Sequence, residues 1–303
     1  MTDKAKAMVM ASFAADALAL GPHWIYDQAS LQRAFGRVDS LRAPREGSQH
    51  HGKPAGALTH YGDQTLVLLD SVAATRGFDL PDFAARWQKL MADYQGYLDQ
   101  ATKGTLRGFS RGETPLKAGS KSRDLAGASR IAPVIYAHRA EPDLAVQAAR
   151  SQTAMTHNNP EVIEAAELFA RTALAVLGGA GPVEALEGAA TAGYSSLPAR
   201  QWLDKGLALA SKETDRALKE LGLSCHVDEA FPGTVQIIAR HENDLQEGLI
   251  ACVMAGGDSA ARGMLAGLIL GAGLGLEAVP AEWVQGLQER QRIEGALQAI
   301  EAG

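Results

Sequence analysis

Apolar residues recur at helical spacing from the start of the chain. Ala7, Met10, Ala11, Ala14 and Leu18 fall on one stripe, predicting a helix over residues 3–20 that Gly21-Pro22 stops. Leu66 to Ala74 predicts a buried helix opening at Gly62-Asp63-Gln64-Thr65. Phe83 to Leu98 predicts an amphipathic one, with Trp87, Leu90, Met91, Tyr94 and Leu98 on one side. A further apolar helix runs from Ile131 to Tyr136, behind the small residues Ala126-Gly127-Ala128-Ser129-Arg130. Residues 142–156 form the next, ending at Thr156-His157-Asn158-Asn159. Pro160 suits the first position of the helix that follows, whose apolar face carries Val162, Ile163, Ala166, Phe169 and Leu174. Helical spacing continues over residues 183–193, 198–221 and about 281–301, while Pro232-Gly233 begins a short apolar segment through Ile238 and Asp244 to Ala255 leads into the turn at Gly256-Gly257.

Two stretches break this rhythm. Residues 27–62 look irregular, with Gly36, Gly47, Gly52, Pro54 and Gly56 among His50, His51 and His60. A connection that long is expected to be functional or partly ordered. The His50-His51 pair by itself reads as solvated surface. Residues 103–124 hold Lys103, Arg107, Arg111, Lys117, Lys121 and Arg123 against only Glu113 and Asp124. This reads either as a solvated loop or as a mobile cationic one suited to an anion such as a phosphate. The glycines at 178, 179 and 181 read as a turn, and those at 271, 273 and 275 as helix termination, since neither set follows a strand. No stretch alternates apolar and polar residues. The expected fold is all-α, with residues 1–303 as one compact domain of many helices.

Composition narrows the function classes. The chain has 303 residues, 46% hydrophobic and 21% charged, with a formal net charge of −6. That balance argues against a nucleic-acid-binding protein. Cys225 and Cys252 are the only cysteines and form no ligand-spaced pair, arguing against a disulfide framework or a cysteine-based zinc site. Asp16 interrupts the early apolar run, so no signal peptide is expected. The longest uncharged apolar run, Gly263 to Leu276, is shorter than the roughly 20 residues of a membrane helix. A cytoplasmic protein without membrane or nucleic-acid partners is expected.

The chemistry concentrates at Ala255-Gly256-Gly257-Asp258-Ser259-Ala260-Ala261-Arg262-Gly263. Two glycines lead into an acid, and an apolar small-residue helix follows. A carboxylate there could ligate a metal, take a proton or cap the helix.

Five pieces then stand in a recognisable order: FAADALALG (13–21), YGDQTLVLL (61–69), DLAGASRIAP (124–133), THNNPEVIEAA (156–166) and GGDSAARGMLAGLILGA (256–272). The series resembles the ADP-ribosylglycohydrolase family, the relatives of the enzyme that removes ADP-ribose from dinitrogenase reductase. The resemblance spans most of the chain. It implies an all-α orthogonal bundle of the ADP-ribosylglycohydrolase type with a central cleft. It also implies a binuclear magnesium site built from a Thr-Asp-Asp motif and a late Asp-x-Asp-Thr motif. Hard oxygen ligands suit Mg²⁺, and the metal pair would orient the ribose and the attacking water.

At those two motifs this chain has Gly62-Asp63-Gln64 and Asp258-Ser259-Ala260-Ala261. Asp63 and Asp258 are the surviving carboxylates, expected as metal ligands and catalytic groups for at most one magnesium ion. Arg262, one helical turn beyond Asp258, is expected to reach Asp258 or Asp63 and supply in part the charge of the missing metal. The resemblance also implies substrate contacts for Asp16, Gly127, Ala128, Ser129, Arg130 and His157. Asp16 could instead only brace the cleft, and His157 could be simply a helix-end residue. The expected activity is hydrolysis of an N- or O-glycosidic bond to ribose, in a small molecule or an ADP-ribosylated protein. The alternative is a non-catalytic ADP-ribose- or nucleotide-binding or structural protein that kept the fold and lost the metal pair.

Overall fold

A computed structural model describes residues 2–302. Among the described residues there are 18 α-helices, one short 3-10 turn and two isolated β-bridges, but no strand. The all-α expectation holds.

The centre is a pair of antiparallel helices, Thr2–Ala19 and Ser259–Leu274. Small residues explain why they pack so closely. Gly263, Gly267 and Gly271 lie four apart on one face and meet Ala15, Ala11 and Ala7 in that order. A Cβ added at Gly267 would sit 2.7 Å from the Ala11 carbonyl oxygen, and one at Gly271 the same distance from that of Ala7. The helices therefore approach backbone to backbone at Gly267 and Gly271, and both are almost wholly buried. This register sets the N-terminal end of Ser259–Leu274 beside the C-terminal end of Thr2–Ala19, where the candidate site lies.

Side-chain caps fix several other helix starts. Thr59 caps His60–Thr75, its hydroxyl accepting from Tyr61 N. Asp99 caps Gln100–Ser110, Asn159 caps Pro160–Leu177, and Asp244 caps Leu245–Ala255. Each satisfies an amide that the first helical turn leaves without a partner.

Several expected boundaries move. The irregular stretch after residue 27 contains the helix Gln28–Phe35, capped by Asp27. The amphipathic helix ends at Ala92, leaving Tyr94 and Leu98 in a connection. The cationic stretch is no mobile loop, since the helices Gln100–Ser110 and Pro115–Ala118 carry much of it. Arg107, Arg111, Lys117 and Lys121 line a cavity of about 640 Å³ there, together with Glu113 and Asn158. Residues 198–221 divide into Ala199–Ala208 and Thr214–Leu221, and the last helix into Ala281–Gly286 and Arg290–Glu301. Pro232 does not start a segment but lies inside the helix Val227–Arg240. The buried apolar face of Val235, Ile237 and Ile238 outweighs the one hydrogen bond that the proline removes. No described helix is long and apolar enough to cross a membrane.

Candidate functional site

Asp258 sits in a turn that only glycine permits. Gly256 and Gly257 have φ of 83° and 68°. A Cβ on Gly256 would lie 2.5 Å from the Ile25 carbonyl oxygen, and one on Gly257 2.2 Å from that of Leu223. The turn is stitched to the segment after the first helix. Gly257 N donates to Ile25 O at 2.9 Å, and Trp24 N donates to Gly257 O at 3.0 Å. Trp24 itself holds φ of 64°, a left-handed conformation costly for a bulky residue.

The Asp258 carboxylate is fully buried. One oxygen accepts from Ala261 N at 3.4 Å, so the residue caps its helix. The same oxygen lies 3.8 Å from His23 Nε2, and the other accepts from the Tyr61 hydroxyl at 3.1 Å. Burial pushes the Asp258 pKa up to about 6 against the opposing pull of the Arg262 charge. The same burial holds His23 well below the usual imidazole range, with help from the charges of His50 and His60. His23 is therefore neutral, and both its ring nitrogens lack a hydrogen-bond partner.

Asp63 faces elsewhere. Its Oδ2 accepts from Lys53 Nζ at 2.5 Å and from the Tyr94 hydroxyl. Tyr61, which touches Asp258, stands two residues earlier on the same helix, about 200° around its axis. Among the described residues, Asp63 and Asp258 share no hydrogen-bond partner. Arg262 also departs from expectation. Its guanidinium donates to the carbonyls of Gly256 at 2.5 Å and Leu223 at 3.4 Å, bracing the glycine turn. Among the described residues it pairs with no carboxylate. The cation that meets Asp63 is Lys53.

Gln64 stands where the resemblance places a metal carboxylate, and both the oxygen and the nitrogen of its amide are hydrogen-bonded. Its oxygen accepts from Trp87 Nε1 at 2.8 Å and Arg130 Nη1 at 2.7 Å, and its nitrogen donates to the His60 carbonyl at 2.9 Å. Arg130, 1% exposed, also donates to the Thr156 hydroxyl. Burial lowers its pKa only to about 10, so it stays charged. His157 lies beside it, with Nδ1 3.0 Å from the Thr156 hydroxyl and Nε2 unpaired. Burial, aided by Arg130, lowers the His157 pKa to about 4.

The other residues expected at the substrate make contacts within the chain. Asp16, fully buried, accepts from Thr59 N at 2.7 Å and the Thr59 hydroxyl at 2.5 Å, so it braces the cap of His60–Thr75. A Cβ at Gly62 would lie 2.2 Å from Asp16 Oδ2, so with the carboxylate in this position residue 62 is left as glycine. Gly127, Ala128 and Ser129 form a buried turn, Ala126–Ser129, rather than an anion cradle. Their N–H groups donate to the carbonyls of Asp124 and Leu125, and a Cβ at Gly127 would strike the His157 ring at 2.6 Å.

The structure adds residues that the sequence reading did not single out for chemistry. His50 Nε2 and His60 Nδ1 lie 3.0 Å apart. On its other side, His60 Nε2 comes within 3.2 Å of Asp99 Oδ2, close enough for charge attraction but not aligned as a hydrogen bond. His50 lines a cavity of about 430 Å³ with Lys53 and Tyr94, the two partners of Asp63. The tilted rings of His60, Trp24 and Tyr97 surround it with centroid separations of 5.2–6.3 Å. His50 and His60 were visible in the sequence only as histidines in an irregular stretch, and nothing in the sequence linked Asp99 to them.

The donor set does not fit a magnesium pair. Two Mg²⁺ ions need several free carboxylate oxygens. Here Asp63 is neutralised by Lys53, Gln64 is locked to Arg130, and Asp258 is tied to Tyr61 and its own helix. Protein cations stand close to the groups that would have held metal.

The comparisons agree with the fold. The family model for ADP-ribosylglycohydrolase matches residues 1–302. Crystallin J1B of Tripedalia cystophora is 24% identical over 313 residues, covering 98% of this chain and 96% of that protein. ADP-ribosylhydrolase ARH3 of Gallus gallus is 30% identical over 133 residues, covering 39% of this chain and 36% of that protein. A solved structure, described as an ADP-ribosylglycohydrolase-related protein complex, superposes with a TM-score of 0.78 at 24% identity, covering 99% and 98% of the two chains. This chain belongs to the ADP-ribosylglycohydrolase family.

Proposed function

We propose that this chain binds ADP-ribose, or a related nucleotide, in the family's cleft without magnesium-dependent hydrolysis. One observation carries the reading: the Gln64 amide oxygen, at a metal-carboxylate position, is saturated by Trp87 and Arg130. A neutral amide bound to a guanidinium offers no oxygen to a dication. The buried Arg130, which pairs with no carboxylate among the described residues, supplies positive charge that suits a diphosphate. The unpaired buried nitrogens of His23, His157 and Arg130 are polar capacity that a bound polar ligand would satisfy. The likeness to a crystallin over nearly the whole chain is consistent with a fold kept without the family's chemistry.

A second reading rests on the contacts of His50, His60 and Asp99. A neutral His50 backed by His60 is a candidate general base at the 430 Å³ cavity, and metal-free glycoside cleavage needs an acid or base of this kind.

Calorimetry with ADP-ribose, alongside hydrolysis assays on ADP-ribosyl-arginine and ADP-ribosyl-serine conjugates, separates the two. Binding without turnover is expected. Turnover that requires magnesium overturns the proposal. Turnover that survives a chelator but is lost in His50→Gln establishes the second reading.

A further inference from the structure

We infer that Asp124, Cys225 and His226 form a binding site for a single borderline divalent cation, of which Zn²⁺ is the type. The sequence shows no ligand-spaced cysteine pair, but the fold brings Cys225 to a carboxylate 101 residues away. Cys225 Sγ lies 2.9 Å from Asp124 Oδ1, and His226 Nε2 lies 4.0 Å from the same oxygen. One ligand atom from each of the three residues lies within 4.8 Å of the other two. Ligands on a tetrahedral zinc, with bonds of about 2.0–2.3 Å, stand about 3.5 Å apart. The observed separations straddle that figure, so small side-chain rotations complete the geometry.

The backbone holds the three in register. Leu125 N donates to Cys225 O at 2.8 Å, Val227 N donates to Arg123 O at 2.8 Å, and Asp124 bridges His226 in antiparallel fashion. The nearest cationic side chain in sequence is committed elsewhere, since Arg123 pairs with Glu161 at 2.9 Å and Asp228 at 3.5 Å. Among the described residues no lysine or arginine pairs with Asp124. A thiolate, an imidazole and a carboxylate select zinc-like ions over magnesium or calcium. Binding releases the Cys225 thiol proton to solvent as the sulfur–metal bond forms.

Position gives the site its interest. Two residues before Cys225, the Leu223 carbonyl accepts from Asp258 N at 3.0 Å and from Arg262 Nη1 at 3.4 Å. One residue after Asp124 begins the segment Leu125 to Arg130. The cation would therefore stand beside the Asp258 turn. Cys225 is half-buried and the His226 side chain is 58% exposed, so three protein ligands leave a fourth position open to water or a ligand oxygen. The inference does not depend on the proposed function, because it concerns different residues and a different metal.

Cobalt(II) tests it on the full chain after metal removal by chelator and dialysis. One equivalent is expected to bind, with a thiolate-to-cobalt charge-transfer band in the near ultraviolet that zinc then abolishes. Cys225→Ser is expected to lose the band while far-ultraviolet circular dichroism shows the helices intact, and Cys252→Ser to keep it. His226→Gln and Asp124→Asn are each expected to weaken zinc binding by at least about tenfold. Absence of the band in the unmodified chain, or its persistence in Cys225→Ser, overturns the proposal.

Discussion

Replacing Asp258 by asparagine is expected to stabilise the protein at neutral pH and to do nothing for it in acid. Burial raises this carboxyl from an ordinary 3.8 to about 6. Below pH 3.8 the residue is protonated in both folded and unfolded chains and contributes nothing. Between 3.8 and about 6 the folded chain keeps a proton that the unfolded chain has released, so stability falls as pH rises. Above about 6 both forms are ionised and the loss is complete. A difference of about 2 in pKa corresponds to roughly 3 kcal/mol at 1.36 kcal/mol per unit. Asparagine keeps what the carboxylate does for the fold. Its oxygen can cap the helix by accepting from Ala261 N, and its amide nitrogen, in place of Oδ2, can donate to the Tyr61 hydroxyl oxygen. Urea unfolding of both chains from pH 4 to 8 measures the difference directly. An advantage of about 1–3 kcal/mol for Asp258→Asn at pH 8, shrinking through pH 6 and gone below pH 4, is expected. A destabilised variant at pH 8, or a difference that does not change with pH, refutes the reasoning. A stabilising substitution here would mark Asp258 as a residue kept for something other than stability.

Other consequences are equally open to measurement. Gln64→Leu strands the Trp87 indole N–H and one Arg130 donor in the core, and is expected to lower unfolding stability by about 3–5 kcal/mol in urea. Gly267→Val drives side-chain atoms into the Ala11 carbonyl, with an expected loss of at least about 3 kcal/mol or failure to fold, read by thermal unfolding. Gly295→Ala has open space around it within the helix Arg290–Glu301, and should instead gain about 0.5–1 kcal/mol by the same measurement.

The helices were legible because their signals are local. Pro160 behind Asn159, and the apolar stripes at residues 3–20 and 142–156, place elements within a residue or two of where they stand. The turn at Gly256-Gly257-Asp258 was legible for the same reason, although its acid proves to be both a helix cap and a buried site residue. The helix within residues 27–62 was hidden by flanking glycines, and Pro232 suggested a break that tertiary packing overrides. The partners of the candidate site were the least visible. Lys53 and Tyr94 meet Asp63 from two separate connections, and Asp99 meets His60 across 39 residues, without periodicity to announce either. Sequence spacing suggested Arg262 as the replacement cation because it lies one turn from Asp258. The fold instead uses it to hold the carbonyls of the glycine turn, and Lys53 meets the other acid.

The central claim is that side-chain cations, not magnesium, supply the positive charge of this cleft. ADP-ribose affinity, measured by calorimetry on metal-stripped protein before and after addition of magnesium, tests it most directly. The account predicts the same affinity in both conditions. Binding that appears only when magnesium is present contradicts it.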